Sequence, residues 1–236
     1  QIPMARFDYV GFGPALLDKP KVRRALIRGA EFSEYSRLFG SFSPAGCPSL
    51  PSAYMDRVEC LTPDFAEAKR AALSAGKPAK LVMKFSKMGG DDIVRAVEWF
   101  QGQWKKNLGW PIELSGQEQA VYIRELKDQP PAIFRKGVSL DRPTCLAALE
   151  VFSKDNPENY IRLDDARYER LMRAVANSPG LPARRKACRE AVAYLLSLDR
   201  IIPLGEMYFT ILASTRFKGW DLNELNQLDL SRLTGP

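Results

Sequence analysis

The 236-residue chain contains no histidine. That absence excludes imidazole-based acid–base and triad chemistry, and it removes a common nitrogen ligand for metals. The four cysteines, Cys47, Cys60, Cys145 and Cys188, form no Cys-x-x-Cys pair, so a structural zinc site is not expected either. No apolar run approaches the ~18 residues that a membrane-crossing helix needs. The opening residues, Gln1-Ile2-Pro3-Met4-Ala5-Arg6-Phe7-Asp8, lack the basic stretch and apolar core of a secretory signal. Neither a G-x-S-x-G nucleophile elbow nor a phosphate-binding loop occurs. The adjacent carboxylates Asp91-Asp92 and Asp164-Asp165 stand at expected helix starts, where they suit caps and dipoles rather than paired acid–base work. No catalytic residue, metal or cofactor is expected.

What is present supports a packed interior. Hydrophobic residues make up 45% and charged residues 27%, enough for one large or two small globular domains with a core. The net charge is +7, but basic residues are interleaved with acidic ones, as in Asp164-Asp165-Ala166-Arg167. The densest cluster, Arg184-Arg185-Lys186 with Arg189, opens a helix and suits its solvated face. With no nucleic-acid-binding motif, no nucleic-acid partner is expected. Cys47 and Cys60 flank a Pro/Ser-rich loop, and either close it as a disulfide in an oxidising compartment or stay free thiols. Cys145 and Cys188 fall on apolar helix faces and are expected as buried hydrophobes.

Strand-like and helical segments alternate along the chain. Residues 5–12 alternate as a strand, and Pro20 lies where a helix can begin without needing its N–H. Residues 31–40 continue helical. Residues 41–63 carry Pro44, Gly46, Pro48, Pro51 and Pro63 and form an irregular surface excursion. Thr62 or Asp64 caps a helix that Gly76 ends; residues 80–86 make a strand, and 91–108 a helix with Ile93, Val94, Val97, Phe100 and Trp104 on one stripe. Ile112 and Leu114 mark a short strand, 117–127 a helix, 133–138 a strand and 143–152 a helix. Helices over 164–177 and 182–199 follow, Pro203 breaks the pattern, and a last strand covers Met207 to Ala213. This order argues for α/β layers on a mixed, mostly parallel sheet.

Several segments also resemble a known family, in order. Tyr9-Val10-Gly11-Phe12 followed by Lys21-Val22-Arg23-Arg24-Ala25-Leu26 looks like its entry strand and "V-R-x-A-L" helix. Residues 64–76 resemble its "A-K-x-L-L-x-x-A-G" helix, and Gln103 to Gly109 the helix that ends in "L-G-I". Asp199-Arg200-Ile201-Ile202-Pro203-Leu204 and Lys218-Gly219-Trp220 resemble the segments leading into and out of its last lobe strand. The family is the family 5 extracellular solute-binding proteins, the receptors of oligopeptide and dipeptide ABC transporters, and the resemblance is to their C-terminal lobe.

The resemblance implies a periplasmic-binding-protein type II lobe spanning residues 1–236, truncated from a two-lobed receptor. It implies capture of a peptide or other small solute in an interlobe cleft, outside the cytoplasmic membrane. It further implies a membrane permease and an ATPase as partners, and a monomer. The matching pocket segment commonly reads "G-W-x-x-D-Y-x-x-P", with its Asp receiving a peptide ammonium. By position this points to Asp141, which could instead cap a helix ahead of Pro143. The chain departs from the pattern with Val138 in place of Trp, Arg142 in place of the following aromatic, and a shorter segment. Arg135 either reaches a ligand carboxylate or lies on an exposed strand edge. Val138, Ser139, Glu206 and Met207 complete the expected ligand-binding set, although Met207 also suits a core. The rival reading is a receptor-derived signalling or interaction module without transport.

Overall fold

Apolar side chains crowd both faces of Arg6–Phe12, and a segment buried on both faces must lie inside a sheet. The computed structural model, which describes residues 2–38, 45–48, 55–78, 80–206, 208–209, 211–212, 214–223 and 225–235, places it there. Ile2–Pro3 is β1 and Arg6–Phe12 is β2. Helices Pro20–Arg28 (α1), Phe32–Leu38 (α2) and Phe65–Ala75 (α3) follow, then Leu81–Ser86 (β3) and Asp91–Leu108 (α4). Next come Ile112–Gln117 (β4), Gln119–Asp128 (α5), Ile133–Ser139 (β5) and Cys145–Glu150 (α6). Ala166–Ala176 (α7), Gly180–Ser197 (α8), Ile201–Pro203 (β6) and Tyr208–Phe209 (β7) lead to a terminal hairpin, Asp221–Leu222 (β8) with Leu228–Asp229 (β9).

The central sheet has the order β4-β3-β5-β2-β6. Strand β3 runs parallel to β4 and β5, while β2 is antiparallel to both β5 and β6. Four of the five strands therefore point one way, and the expected mostly parallel α/β sheet is what forms.

Side-chain alternation divides the core into two layers. On one face Phe7, Tyr9 and Phe134 meet Phe152 and Tyr160, with ring centroids 5.2–6.4 Å apart, beneath α5 to α8. On the other, Val10, Phe12, Met83, Phe85 and Ile133 pack under α1 to α4. There Trp104 is fully buried, and its indole N–H donates to the Leu26 carbonyl at 2.8 Å.

Local signals act where expected. Pro20 opens α1, and the Asp64 carboxylate accepts from the Glu67 amide at 2.8 Å to start α3. Gly109 ends α4 with φ 68°, a left-handed conformation that a β-carbon disfavours. Asp165 caps α7 by accepting from the amides of Arg167 and Tyr168, both at 2.8 Å.

Several expectations change. Cys145 and Cys188 are buried as expected, but they are bonded to each other, because α6 and α8 pack side by side with Cα atoms 6.2 Å apart. Cys47 and Cys60, open between two readings, are also bridged. Ile201–Pro203 does not end the pattern but forms an edge strand; Pro203 is tolerated there, and its carbonyl accepts from Gly46 at 2.9 Å. In the expected strand from Met207 to Ala213, only Tyr208–Phe209 is described as strand, paired with β1; Met207, Thr210 and Ala213 lie outside the described residues, as does part of the 41–63 excursion. The helix expected over 143–152 is shorter, since Thr144 rather than Asp141 caps it by accepting from the Ala147 amide at 3.2 Å.

Candidate functional site

Open α/β sheets offer ligands a crevice at the carboxyl ends of their strands, where successive crossovers diverge. From β3 the chain crosses to β4 on one side; from β4 it returns past β3 to β5 on the other. The point of divergence lies between the ends of β3 and β5. Because β2 is antiparallel, it brings its beginning, Arg6 and Asp8, to the same edge, opposite Ser139 and Gly137 of β5.

Three charged groups meet on the α1–α4 side of this edge. The Arg6 Nε donates to the Asp8 carboxylate at 2.6 Å, and Arg135 pairs with its other oxygen. The Asp8 side chain is 0% exposed, that of Arg135 7%, and that of Arg6 30%. Gly137 makes the arrangement possible, since a β-carbon there would overlap Arg6 Nη2 and come within 2.5 Å of Asp8 Oδ1. Nearby, burial pushes the Tyr35 hydroxyl well above its ordinary pKa, with Arg135 pulling the other way.

A second cluster lies on the α5–α8 side. Lys84 of β3 pairs with Glu125 of α5, whose other oxygen accepts from Gln117 at 2.8 Å. Burial raises the Glu125 carboxyl, but the hydrogen bonds from Lys84 and Gln117 outweigh it and hold the group below its usual value. Tyr122 donates to the Arg135 carbonyl at 2.6 Å, tying α5 to β5. Burial depresses the Lys136 ammonium, against the opposing pull of Glu158; the ammonium donates to the Gly137 carbonyl at 2.9 Å. Burial also pushes the Tyr160 phenol up to about 12.

The residues expected from sequence are only partly brought together. Arg135 is not on an exposed edge, because β5 lies between β3 and β2. Ser139 is exposed at the carboxyl edge, whereas Val138 points into the aromatic layer. Asp141, with a side chain 77% exposed, lies beyond β5 and pairs with Arg142 at 3.3 Å. Glu206 is half-buried and accepts from the Tyr208 hydroxyl at 2.8 Å, while Met207 lies outside the described residues. Arg6, Asp8, Lys84 and Glu125 were missed; the visible signal was Arg6-Phe7-Asp8-Tyr9, an acid inside a strand otherwise destined for burial.

Among the described residues, the pairs whose spacing could suggest catalysis have other partners. Ser74 and Lys77 have the Ser-x-x-Lys spacing, but they straddle the end of α3 at Gly76, and the Ser74 hydroxyl accepts from Lys21 at 2.6 Å. Asp164 pairs with Lys154 at 2.8 Å, and Asp165 is the α7 cap. Among the described residues no group of three or more metal-ligating side chains occurs, and no helix is long and apolar enough to cross a membrane.

No family model and no curated protein matches the sequence. Solved structures do match. Haemophilus influenzae OppA, in complex with the peptide RPPGFSPFR, superposes with a TM-score of 0.80 at 16% identity, over 99% of this chain and 49% of its own. A periplasmic oligopeptide-binding protein of Borrelia burgdorferi gives 0.78 at 20% identity, over 100% of this chain and 49% of its own. The murein tripeptide binding protein MppA of Escherichia coli gives 0.78 at 18%, over 95% and 47%. This chain therefore spans about half the length of the structures it matches, and it has the mixed α/β fold of a type II periplasmic-binding-protein lobe.

Proposed function

We propose that this chain serves as the C-terminal ligand-binding lobe of a non-catalytic family 5 solute-binding receptor, which captures a peptide or similar small solute for an ABC importer. The observation that carries this reading is the superposition along essentially the whole chain on one half of three peptide-binding proteins. A carboxyl edge lined with paired charges supports it, since solute sites combine a mainly apolar wall with a few placed polar groups. Two disulfides support a location outside the cytoplasm, at the periplasmic or outer face of the membrane. The partners would be a membrane permease and its ATPase, with closure of a second lobe over the solute.

Within this reading Arg135, Ser139 and Glu206 belong to the wall of the cleft, and Asp141 is the candidate amine anchor on the segment beyond β5. Native mass spectrometry of the full-length gene product, with Asp141→Ala in parallel, tests both. A co-purifying peptide lost in the variant supports receptor and anchor together. One retained in the variant keeps the receptor and removes the anchor. Absence of any solute after expression in peptide-rich medium would count against capture and favour an interaction module.

A further inference from the structure

We propose that the groove between the C-terminal ends of α3 and α4 is a docking site for a short acidic segment of another protein that inserts an apolar side chain. The groove lies away from the carboxyl edge. Helix α3 leads into β3 and α4 into β4, so both helix ends stand at the amino edge of the sheet. Open α/β sheets take their small ligands at the carboxyl edge, which leaves a hollow at the amino edge to a different kind of partner.

The shape comes first. The groove has a volume of about 440 Å³, and Leu73, Leu108 and Trp110 supply its apolar wall. Leu73 is 83% exposed and Trp110 only 4%, so the wall runs from the open surface into the interior. Both helices end at a glycine of positive φ, 71° at Gly76 and 68° at Gly109. A β-carbon on either glycine would meet no atom within 4 Å, so the space between the two ends is unfilled among the described residues. The wall is also held in place. Asn107 donates to the Gly29 carbonyl at 2.8 Å and to Gln103 Oε1 at 3.2 Å, which fixes the last turn of α4 against the end of α1. A preformed apolar hollow costs a partner little ordering.

Charge identifies the partner. Lys69 and Lys77 line the groove and no acidic residue does, while Lys105 stands one turn before Leu108 on the same face of α4. None of these three lysines has an acidic partner among the described residues, whereas neighbouring Lys80 is matched by Glu113 at 3.1 Å. The carbonyl ends of the two helices carry about half a negative charge each, which three ammonium groups exceed. All three lysines are exposed, so they act by attracting and orienting an anionic partner rather than by holding it tightly. A bilayer of anionic lipid would meet the same lysines, but a flat surface reaches Leu73 and leaves the wall at Trp110 empty. An apolar side chain flanked by carboxylates fills the hollow and meets the lysines together.

The test uses the full-length gene product and a fluorescein-capped, C-terminally amidated peptide with two leucines between pairs of glutamates. Fluorescence anisotropy should show saturable binding that weakens as salt is added. Leu73→Ser and the double variant Lys69→Glu, Lys77→Glu should each weaken it about tenfold or more. These side chains are exposed, so both variants should keep the wild-type thermal midpoint. Asp141→Ala should leave the affinity unchanged, which separates this site from solute capture; a loss there would place the peptide in the solute cleft and overturn the proposal. Equal binding of the same peptide with serines for its leucines, or with lysines for its glutamates, would also overturn it, as would affinity unchanged in the groove variants. Absence of peptide binding overturns it outright. Binding to phosphatidylglycerol vesicles in its place, lost in Leu73→Ser, would assign the groove to a membrane surface.

Discussion

On the α1–α4 face of the sheet, Asp8 meets two arginines and is wholly buried; on the α5–α8 face, Glu125 meets Lys84 and Gln117 with about a quarter of each charged side chain exposed. Both clusters stand at the carboxyl edge and both join elements distant in sequence. They differ in charge balance and in access to water. A buried group that loses its partner cannot turn to solvent, whereas an exposed one can. The first cluster should therefore be indispensable to the fold, and the second a modest adjustment to it.

Asp8→Asn gives the strongest challenge to that contrast. It leaves Arg135 buried without a counter-charge, so urea denaturation should show a loss of about 3–5 kcal/mol. A loss below about 1 kcal/mol would mean that water reaches the trio and that the two clusters are equivalent. The covalent links sharpen the comparison next. The Cys145–Cys188 bond, spanning 43 residues, staples the α5–α8 layer, while Cys47–Cys60 spans 13. Loop-closure entropy assigns the longer loop about 4 kcal/mol and the shorter about 3. Thermal unfolding of the two paired Cys→Ser variants should rank them in that order; a reversed order would place the main constraint on the irregular segment near β6. Gly137→Ala follows, at about 1–3 kcal/mol, because its methyl group displaces Arg6 from Asp8. Its effect should shrink in an Arg6→Ala background, which a double-mutant cycle reads directly.

What could be seen in the sequence was local. Pro20, Asp64, Gly109 and Asp165 act on backbone groups within four residues, so their roles follow from the chain alone. The alternation of helical and strand-like segments similarly anticipated the α/β layers. The pairing of Asp8 with Arg135 joins residues 127 apart in sequence, and depends on β2 and β5 being neighbours, which no local pattern states. The same holds for Cys145 and Cys188, each sensibly placed on an apolar face but united only by the packing of α6 against α8. Asp141 was open between ligand anchor and helix cap; Thr144 takes the cap, because the segment after β5 runs on to residue 144 before α6 begins, a boundary that the sequence did not mark. Pro203 looked like a terminator, but a proline at a sheet edge gives up only an N–H that need not face a neighbouring strand.

The smallest expected effect concerns the second cluster. Glu125 titrates below its usual value in the folded chain, despite burial, because Lys84 and Gln117 favour its charged form. A carboxylate depressed on folding contributes stability above its unfolded pKa, about 4.3, and loses it as pH falls through the folded value. Glu125→Gln should therefore cost roughly 0.2–1 kcal/mol at neutral pH, the range of a partly exposed pair. Urea midpoints of wild type and variant should converge as the solution is made acid, because a protonated Glu125 and the variant's neutral amide both lack the charge that Lys84 needs. A difference that persisted in acid would assign Glu125 a packing role between α5 and β3, and the contrast between the two clusters would then rest on burial alone rather than on charge.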